Sequence, residues 1–220
     1  MELLRDRADA GARLTWLLSP LVVQGDATSA VVLGLPRGGV PIGAAIARGL
    51  GLPLDVVVVR KLGAPGNPEY GFGAIGEGGI RVLDAQAMTI LGITDEVVAR
   101  IEAREREELE RRLASYREVR PKVPLAGRTA IVVDDGIATG GTARAAALVA
   151  RAAGAGRVIV AAGVAAPESL HALMEDGSAD LALAALIPNQ LLAVGQWYMN
   201  FSQTPEREVL RILGEAAAEE

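Results

Sequence analysis

The chain has 220 residues and a mass of 22.8 kDa, half of them hydrophobic, with 22 lysines and arginines against 27 acids, one histidine and no cysteine. That composition excludes a disordered chain, and the net charge of −5 leaves room for no more than a local basic pocket, so nucleic acid is not an expected partner. Disulfides, thiol nucleophiles and thiolate metal sites are excluded by the absence of cysteine, and a multi-histidine metal site by the single His171.

Residues 3–18 are predicted as a helix, with Leu3, Leu4, Ala8, Gly11, Ala12 and Leu14 near helical spacing and Trp16 in the core. Residues 31–35 are an apolar run closed by Pro36-Arg37-Gly38-Gly39, which reads as a buried strand and a loop. Residues 41–50 follow as a helix, ended by Gly51 and Pro53, and residues 54–59 as a second buried strand. Residues 60–79 are rich in glycine, contain proline and show no clear period. They are read as a long loop, of a length that is usually functional or mobile. Residues 80–83 make a short strand.

Residues 94–117 form a charged helix capped by Thr94, with Val97, Val98, Ile101, Leu109 and Leu113 on its apolar side and a solvated opposite face. Strands at 130–133, 158–164 and 181–187 alternate with helices at 142–153 and 167–175. Residues 188–204 are irregular, and residues 205–218 close the chain as a helix. Apolar strands alternating with helices predict an α/β fold, a mostly parallel central sheet with helices on both faces. Ligands of such sheets sit at the carboxyl ends of the strands, so chemistry is sought after Leu33, Val59 and Val133.

The apolar run at 14–23, followed by Thr28-Ser29-Ala30, imitates a signal peptide. It lacks a positive leading region, because Glu2, Asp6 and Asp9 offset Arg5, Arg7 and Arg13. An amphipathic helix is the expected reading. The charge-free stretch 181–205 is broken by Pro188, Asn189, Gln190, Gln196, Asn200 and Gln203, so no membrane span is expected. The expected location is the cytoplasm.

The most informative stretch is Ile131-Val132-Val133-Asp134-Asp135-Gly136-Ile137-Ala138-Thr139-Gly140-Gly141-Thr142. A buried strand runs into two carboxylates and then a small-residue loop that opens a helix. Such a loop lets backbone N–H groups approach an anion, and the helix adds its positive end. Thr139 and Thr142 can add hydroxyl donors. Two acids would repel a bare phosphate, but they suit a ligand that turns a phosphate to the loop and a diol to the carboxylates, as a ribose 5-phosphate does. Because neighbouring strand residues point to opposite faces, both acids can serve one ribose only if the strand ends near Asp134.

This stretch resembles the phosphoribosyl-pyrophosphate motif of the type I phosphoribosyltransferases: a hydrophobic strand, two acids, then Ala-Thr-Gly-Gly-Thr. The resemblance implies that Asp134 and Asp135 accept hydrogen bonds from ribose hydroxyls, and that Gly136 and residues 138–142 (Ala138, Thr139, Gly140, Gly141, Thr142) enclose the 5-phosphate. Leu35-Pro36-Arg37-Gly38-Gly39-Val40-Pro41 is similar to the family's pyrophosphate loop. There Arg37 would meet pyrophosphate, Gly38 and Gly39 would let the backbone approach, and the bond Pro36–Arg37 matches the family's non-proline cis peptide. Arg60 and Lys61 would neutralise the leaving pyrophosphate, and residues 62–79 resemble the family's flexible loop, which closes over the site. Asn67, Glu69 and Tyr70 are candidate working residues of that loop, with no role carried over.

Together with Arg-Lys-Leu-Gly-Ala-Pro-Gly-Asn-Pro-Glu and Ala-Val-Gly-Gln-Trp-Tyr, these motifs resemble a subgroup of uncharacterised phosphoribosyltransferases from about residue 5 to residue 210. The resemblance implies one domain over residues 1–220, with a core at about 30–187 and a hood built from about 1–20 and 188–204. It implies transfer of ribose 5-phosphate from 5-phosphoribosyl-1-pyrophosphate to a small-molecule nitrogen acceptor, with Mg2+ borne by the substrate and Asp134 and Asp135 reaching it through water. A homodimer is the assembly it suggests. Ala138 stands where the 6-oxopurine class has an aspartate for the base proton, so a 6-oxopurine is not expected as acceptor. In the hood, Trp197, Tyr198 and Phe201 either stack on a ring or fill the hood's own core, and the second is preferred. The alternative function is a non-catalytic module that senses phosphoribosyl pyrophosphate or a nucleotide.

Two features are set aside. Gly71-Phe72-Gly73-Ala74-Ile75-Gly76 fits a dinucleotide fingerprint literally but lacks a following helix. His171 lies in a predicted helix and is expected at the surface.

Overall fold

The computed structural model describes residues 2–22, 29–65 and 67–219, with the side chains of 67–70 excepted. Five strands form a wholly parallel sheet: β1 (Ala30–Gly34), β2 (Leu54–Val56), β6 (Thr129–Ile137), β7 (Arg157–Ala165) and β8 (Leu181–Leu186), in the order β2-β1-β6-β7-β8. Three more, β3 (Val59–Ala64), β4 (Asn67–Gly76) and β5 (Arg81–Leu83), form a separate antiparallel sheet.

Alternation along the parallel strands divides the core in two. Val32, Ile131, Val133 and Ile159 share one core with α1 (Arg7–Leu18), α2 (Gly39–Leu50) and α7 (Glu206–Ala218), and α4 (Asp95–Val119) joins it by packing on α7 and the β3–β4 sheet. Val31, Leu33, Val132 and Val160 pack on the other face against α5 (Gly141–Ala152) and α6 (Pro167–Glu175). Because both faces are covered, these strands read as unbroken apolar runs, and each fully buried Val or Leu contributes about 1.5–3 kcal/mol.

The expected long loop at 60–79 is instead the β3–β4 hairpin. Its alternation is real, since Leu62, Ala64, Phe72 and Ala74 are buried. Glycines between them supply no side chain to mark the other face, and a register shift at Leu62–Gly63–Ala64 breaks the period. The rejected fingerprint at 71–76 lies wholly within β4. The helix α3 (Ala85–Leu91), capped by Asp84 through Ala87 N–H, was not expected. Thr94 caps α4 as expected, accepting from Val97 N–H.

Residues 14–18 of the apolar run complete α1, with Leu14 and Leu18 buried, while Val23 and Thr28 lie outside the described residues. Trp16, expected in the core, is 76% exposed, because the α1 face that meets α2 carries Gly11 and Thr15 instead. The segment before α1 meets residues 197–200. Leu4 N–H donates to Trp197 C=O at 2.9 Å, and Met199 and Asn200 N–H donate to Leu4 and Arg5 C=O at 2.8 and 2.9 Å. Among the described residues no helix is long and apolar enough to cross a membrane.

Candidate active site

The strand β6 does not stop at Asp134. It stays in register with β7 as far as Ile137, opposite Ala165. The condition for both acids to share one ribose by a simple strand end is therefore not met, and the two carboxylates leave the strand on opposite sides. Asp134 accepts from Asp135 N–H at 2.8 Å. Burial, followed by the neighbouring Asp135 charge, pushes its carboxyl up to about 8. Asp135 is turned to the face that carries α1. There Arg7 donates to its Oδ2 from Nε at 3.1 Å and from Nη2 at 2.7 Å.

The loop after β1 is pressed against this acid. The Pro36–Arg37 peptide is cis, as the resemblance implied. A β-carbon on Gly38 would stand 1.8 Å from Asp135 Oδ2, and one on Gly39 would stand 2.1 Å from the Val133 carbonyl oxygen. Only glycine allows the loop to sit this close to β6. Arg37 and Pro36 are half-buried, and the Arg37 charge reaches the Tyr116 phenol on α4.

After β6 the chain turns at Ala138 and Thr139, both exposed, through Gly140 in the left-handed region (φ 77°), and enters α5 at Gly141. Ser169 Oγ on α6 donates to the Ala138 carbonyl at 2.6 Å and steadies the loop. The first-turn N–H groups of α5 have no carbonyl partner within the helix, so the loop ends in donors and in the positive end of the helix. Beside it lies a cleft of ≈ 540 Å³ lined by Thr139, Gly141 and Arg144 of this segment, Lys61 and Gly73 of the hairpin, and Asp84. The Lys61 ammonium lies 3.7 Å from the point where a Gly141 β-carbon would be.

Gly38 and Gly39 thus meet Asp135 and Asp134 where the loop after β1, which also carries Arg37, packs on β6, while Lys61, Thr139 and Gly141 line the cleft beside the 138–142 loop; neither acid nor Arg37 lines that cleft. Two expected residues have other work. Arg60, next to Lys61 but on the opposite face of β3, donates to Glu105 on α4 at 2.8 Å and does not line the cleft. Glu105 is buried, which works to raise its pKa, but hydrogen bonds from Arg104 and Arg60 hold it below the usual carboxylate range. Gly136 is a packing glycine, since a β-carbon there would stand 2.3 Å from Val194 Cγ1.

Sequence reading missed Arg7, which sits 128 positions from Asp135 in a stretch of mixed charge. It also missed the buried Tyr198 hydroxyl, which donates to the Asp135 carbonyl at 2.6 Å. Burial pushes that phenol far above its usual range, so it remains a donor. Phe201 stacks on Tyr198 with ring centroids 4.9 Å apart and carries the Arg7 guanidinium 4.3 Å above its ring. Tyr198 is buried between Phe201 and the backbone of β6, while Trp197 and Phe201 are half-buried. His171 is at the surface of α6, 3.5 Å from Glu175.

A parallel sheet covered by helices on both faces, with a glycine loop after β1 and a small-residue loop after β6, defines an α/β protein whose loops lie at the carboxyl side of the sheet. The chain belongs to the phosphoribosyl transferase domain family, whose family model matches residues 17–175. It is 45% identical over 216 residues to the Mycobacterium tuberculosis H37Rv protein named "Putative phosphoribosyl transferase Rv0571c", and equally to its counterpart in strain CDC 1551. The match takes in 98% of this chain and 47% of those proteins, so the chain spans about half the length of the curated relatives it matches. The crystal structure of TT1426 from Thermus thermophilus is 44% identical, with a TM-score of 0.88 over 99% of this chain and 100% of that one.

Proposed function

We propose that the chain transfers ribose 5-phosphate from 5-phosphoribosyl-1-pyrophosphate to a small nitrogenous acceptor. The observation that carries this reading is that β6 bears both loops: the Pro36–Gly39 loop is seated on Asp135, and, a few residues on, the 138–142 loop opens the cleft beside Lys61. The 5-phosphate would rest on the loop N–H groups and the Thr139 and Thr142 hydroxyls. A ribose hydroxyl would donate to one of the two carboxylates, which lie on opposite sides of β6, and Lys61 and Arg37 would supply the cations for the pyrophosphate.

In the reaction the bond from ribose C1 to the pyrophosphate oxygen breaks, and the pyrophosphate keeps the electron pair. The acceptor nitrogen forms the new bond to C1 and its proton passes to the departing pyrophosphate or to water. Positive charge gathers on the ribose ring as the bond lengthens, and an ionised carboxylate facing the ring would stabilise it. The protein's share is positioning and electrostatics.

Among the described residues no group of three His, Asp or Glu side chains is placed to hold a metal ion. Asp134 and Asp135 would hold a magnesium ion brought in by the donor, through water, and the ion would supply neutralisation of the leaving pyrophosphate. Ala138 is exposed at the mouth of the loop and brings no proton acceptor, which supports an acceptor other than a 6-oxopurine.

The test is pyrophosphate release with magnesium, the donor and a panel of bases and amines. Release dependent on one acceptor class supports transfer. Donor binding with no release on any acceptor would replace transfer by the sensor reading, and no donor binding at all would overturn both.

A further inference from the structure

Arg7 is the first residue of α1, and its place is set by the Asp6 cap, whose side chain accepts from Asp9 N–H at 2.9 Å. All three of its donor nitrogens are engaged. Nε and Nη2 both reach Asp135 Oδ2, and Nη1 donates to the Ser202 carbonyl at 2.7 Å. The pair is largely buried, with side chains 14% and 19% exposed, unlike the solvent-facing ion pairs that contribute little. Arg13, further along the same helix, pairs only locally, with Glu2 and Asp9.

Asp135 is also held from behind by the second hood segment, through the Tyr198 hydroxyl on its carbonyl oxygen. A β-carbon on Gly163 would stand 1.8 Å from that hydroxyl, so β7 leaves a gap shaped for it. One residue of the acidic pair is therefore the anchor for both parts of the hood.

We infer that Arg7 is a positioning residue for the donor site. By holding Oδ2 it turns Asp135 so that Oδ1 faces the ribose, and by the same contact it fastens the hood to the phosphoribosyl loop. Asp135 and the two hood segments that hold it are then assembled as one unit. The orientation part of this inference rests on the donor reading of Asp134 and Asp135; the fastening part does not.

The test uses Arg7→Met, Arg7→Lys, Asp135→Asn and the double variant Arg7→Met/Asp135→Asn. Arg13→Met serves as control. Calorimetry with magnesium and phosphoribosyl pyrophosphate reads orientation, and amide exchange of residues 194–202 reads fastening. Arg7→Met should lose about tenfold in donor affinity, the scale of one charge-assisted hydrogen bond. In the Asp135→Asn background the same change should add less than about twofold, because Arg7 acts through that carboxylate. Arg7→Lys should fall between Arg7→Met and wild type. Protection of 194–202 should drop in Arg7→Met and Asp135→Asn, stay in Arg13→Met, and leave β6 and β7 protected in all.

Additive effects of Arg7→Met and Asp135→Asn on donor affinity would overturn the orienting role. Unchanged protection of 194–202 in Arg7→Met would overturn the fastening. A wild-type chain that binds no donor while Arg7→Met still loosens 194–202 would remove the donor reading, and the orientation with it, and leave the fastening established.

Discussion

Gly38 and Asp135 are in direct contact: a β-carbon on the glycine would stand 1.8 Å from the carboxylate Oδ2. The loop after β1 is therefore built on an acid within β6, across the parallel pair that joins Gly34 to Val133.

Gly38→Ala tests that contact. The added methyl must displace the carboxylate or the loop, an overpacking cost of about 1–3 kcal/mol. Urea denaturation should show a loss of this size, and donor affinity should fall further than stability alone explains. A Gly38→Ala chain with wild-type stability and donor affinity would show that loop and acid do not need their observed spacing.

Gly136→Ala separates packing from ligand binding. The β-carbon would collide with Val194, so the variant should lose about 1–3 kcal/mol of stability. Adding Val194→Ala should restore much of that loss by making room. If Gly136 served a phosphate instead, the second change would bring no recovery.

Asp134 gives a pH signature. Its carboxyl titrates at about 8 in the folded chain against an ordinary value of 3.8. Between those values the folded chain keeps a proton that the unfolded chain has released, so this group makes stability fall as pH rises through the window. Asp134→Asn keeps the acceptor for Asp135 N–H and removes the titration. Its melting temperature relative to wild type should climb from pH 5 to pH 8 and then level off. A difference that stays flat over that range would place the Asp134 proton elsewhere.

Lys61→Met should weaken donor binding by about tenfold or more, as loss of a cation facing phosphate does. Stability should stay within about 0.5 kcal/mol, since the side chain is only partly buried at the cleft. Arg60→Met should behave in the opposite way, destabilising the chain by leaving the buried Glu105 carboxylate with one cation fewer. Equal loss of donor affinity in the two variants would return Arg60 to the site.

Much of this was legible in the sequence. The strands β1, β6, β7 and β8 are apolar runs because both faces of the parallel sheet are covered, and the helix opening at Gly141 follows the small-residue loop. The hairpin at 59–76 was not legible, because glycine at 63, 71, 73 and 76 erases the polar half of a strand's alternation. Trp16 misled because hydrophobicity was taken for burial, whereas α1 packs on α2 through its small residues. The acid pair and both loops were readable as local strings. Arg7 and Tyr198 were not, since their roles depend on contacts with Asp135 across 128 and 63 positions of chain, which no local spacing encodes.

The central claim is a sugar phosphate seated between Ala138–Thr142 and the acid pair. A crystal structure of the chain grown with magnesium and phosphoribosyl pyrophosphate tests it most directly. The account predicts the 5-phosphate on the N–H groups at the start of α5, with ribose hydroxyls within hydrogen-bond distance of an Asp134 or Asp135 carboxylate. A donor whose phosphate lies away from that loop, or whose hydroxyls face neither acid, would contradict it.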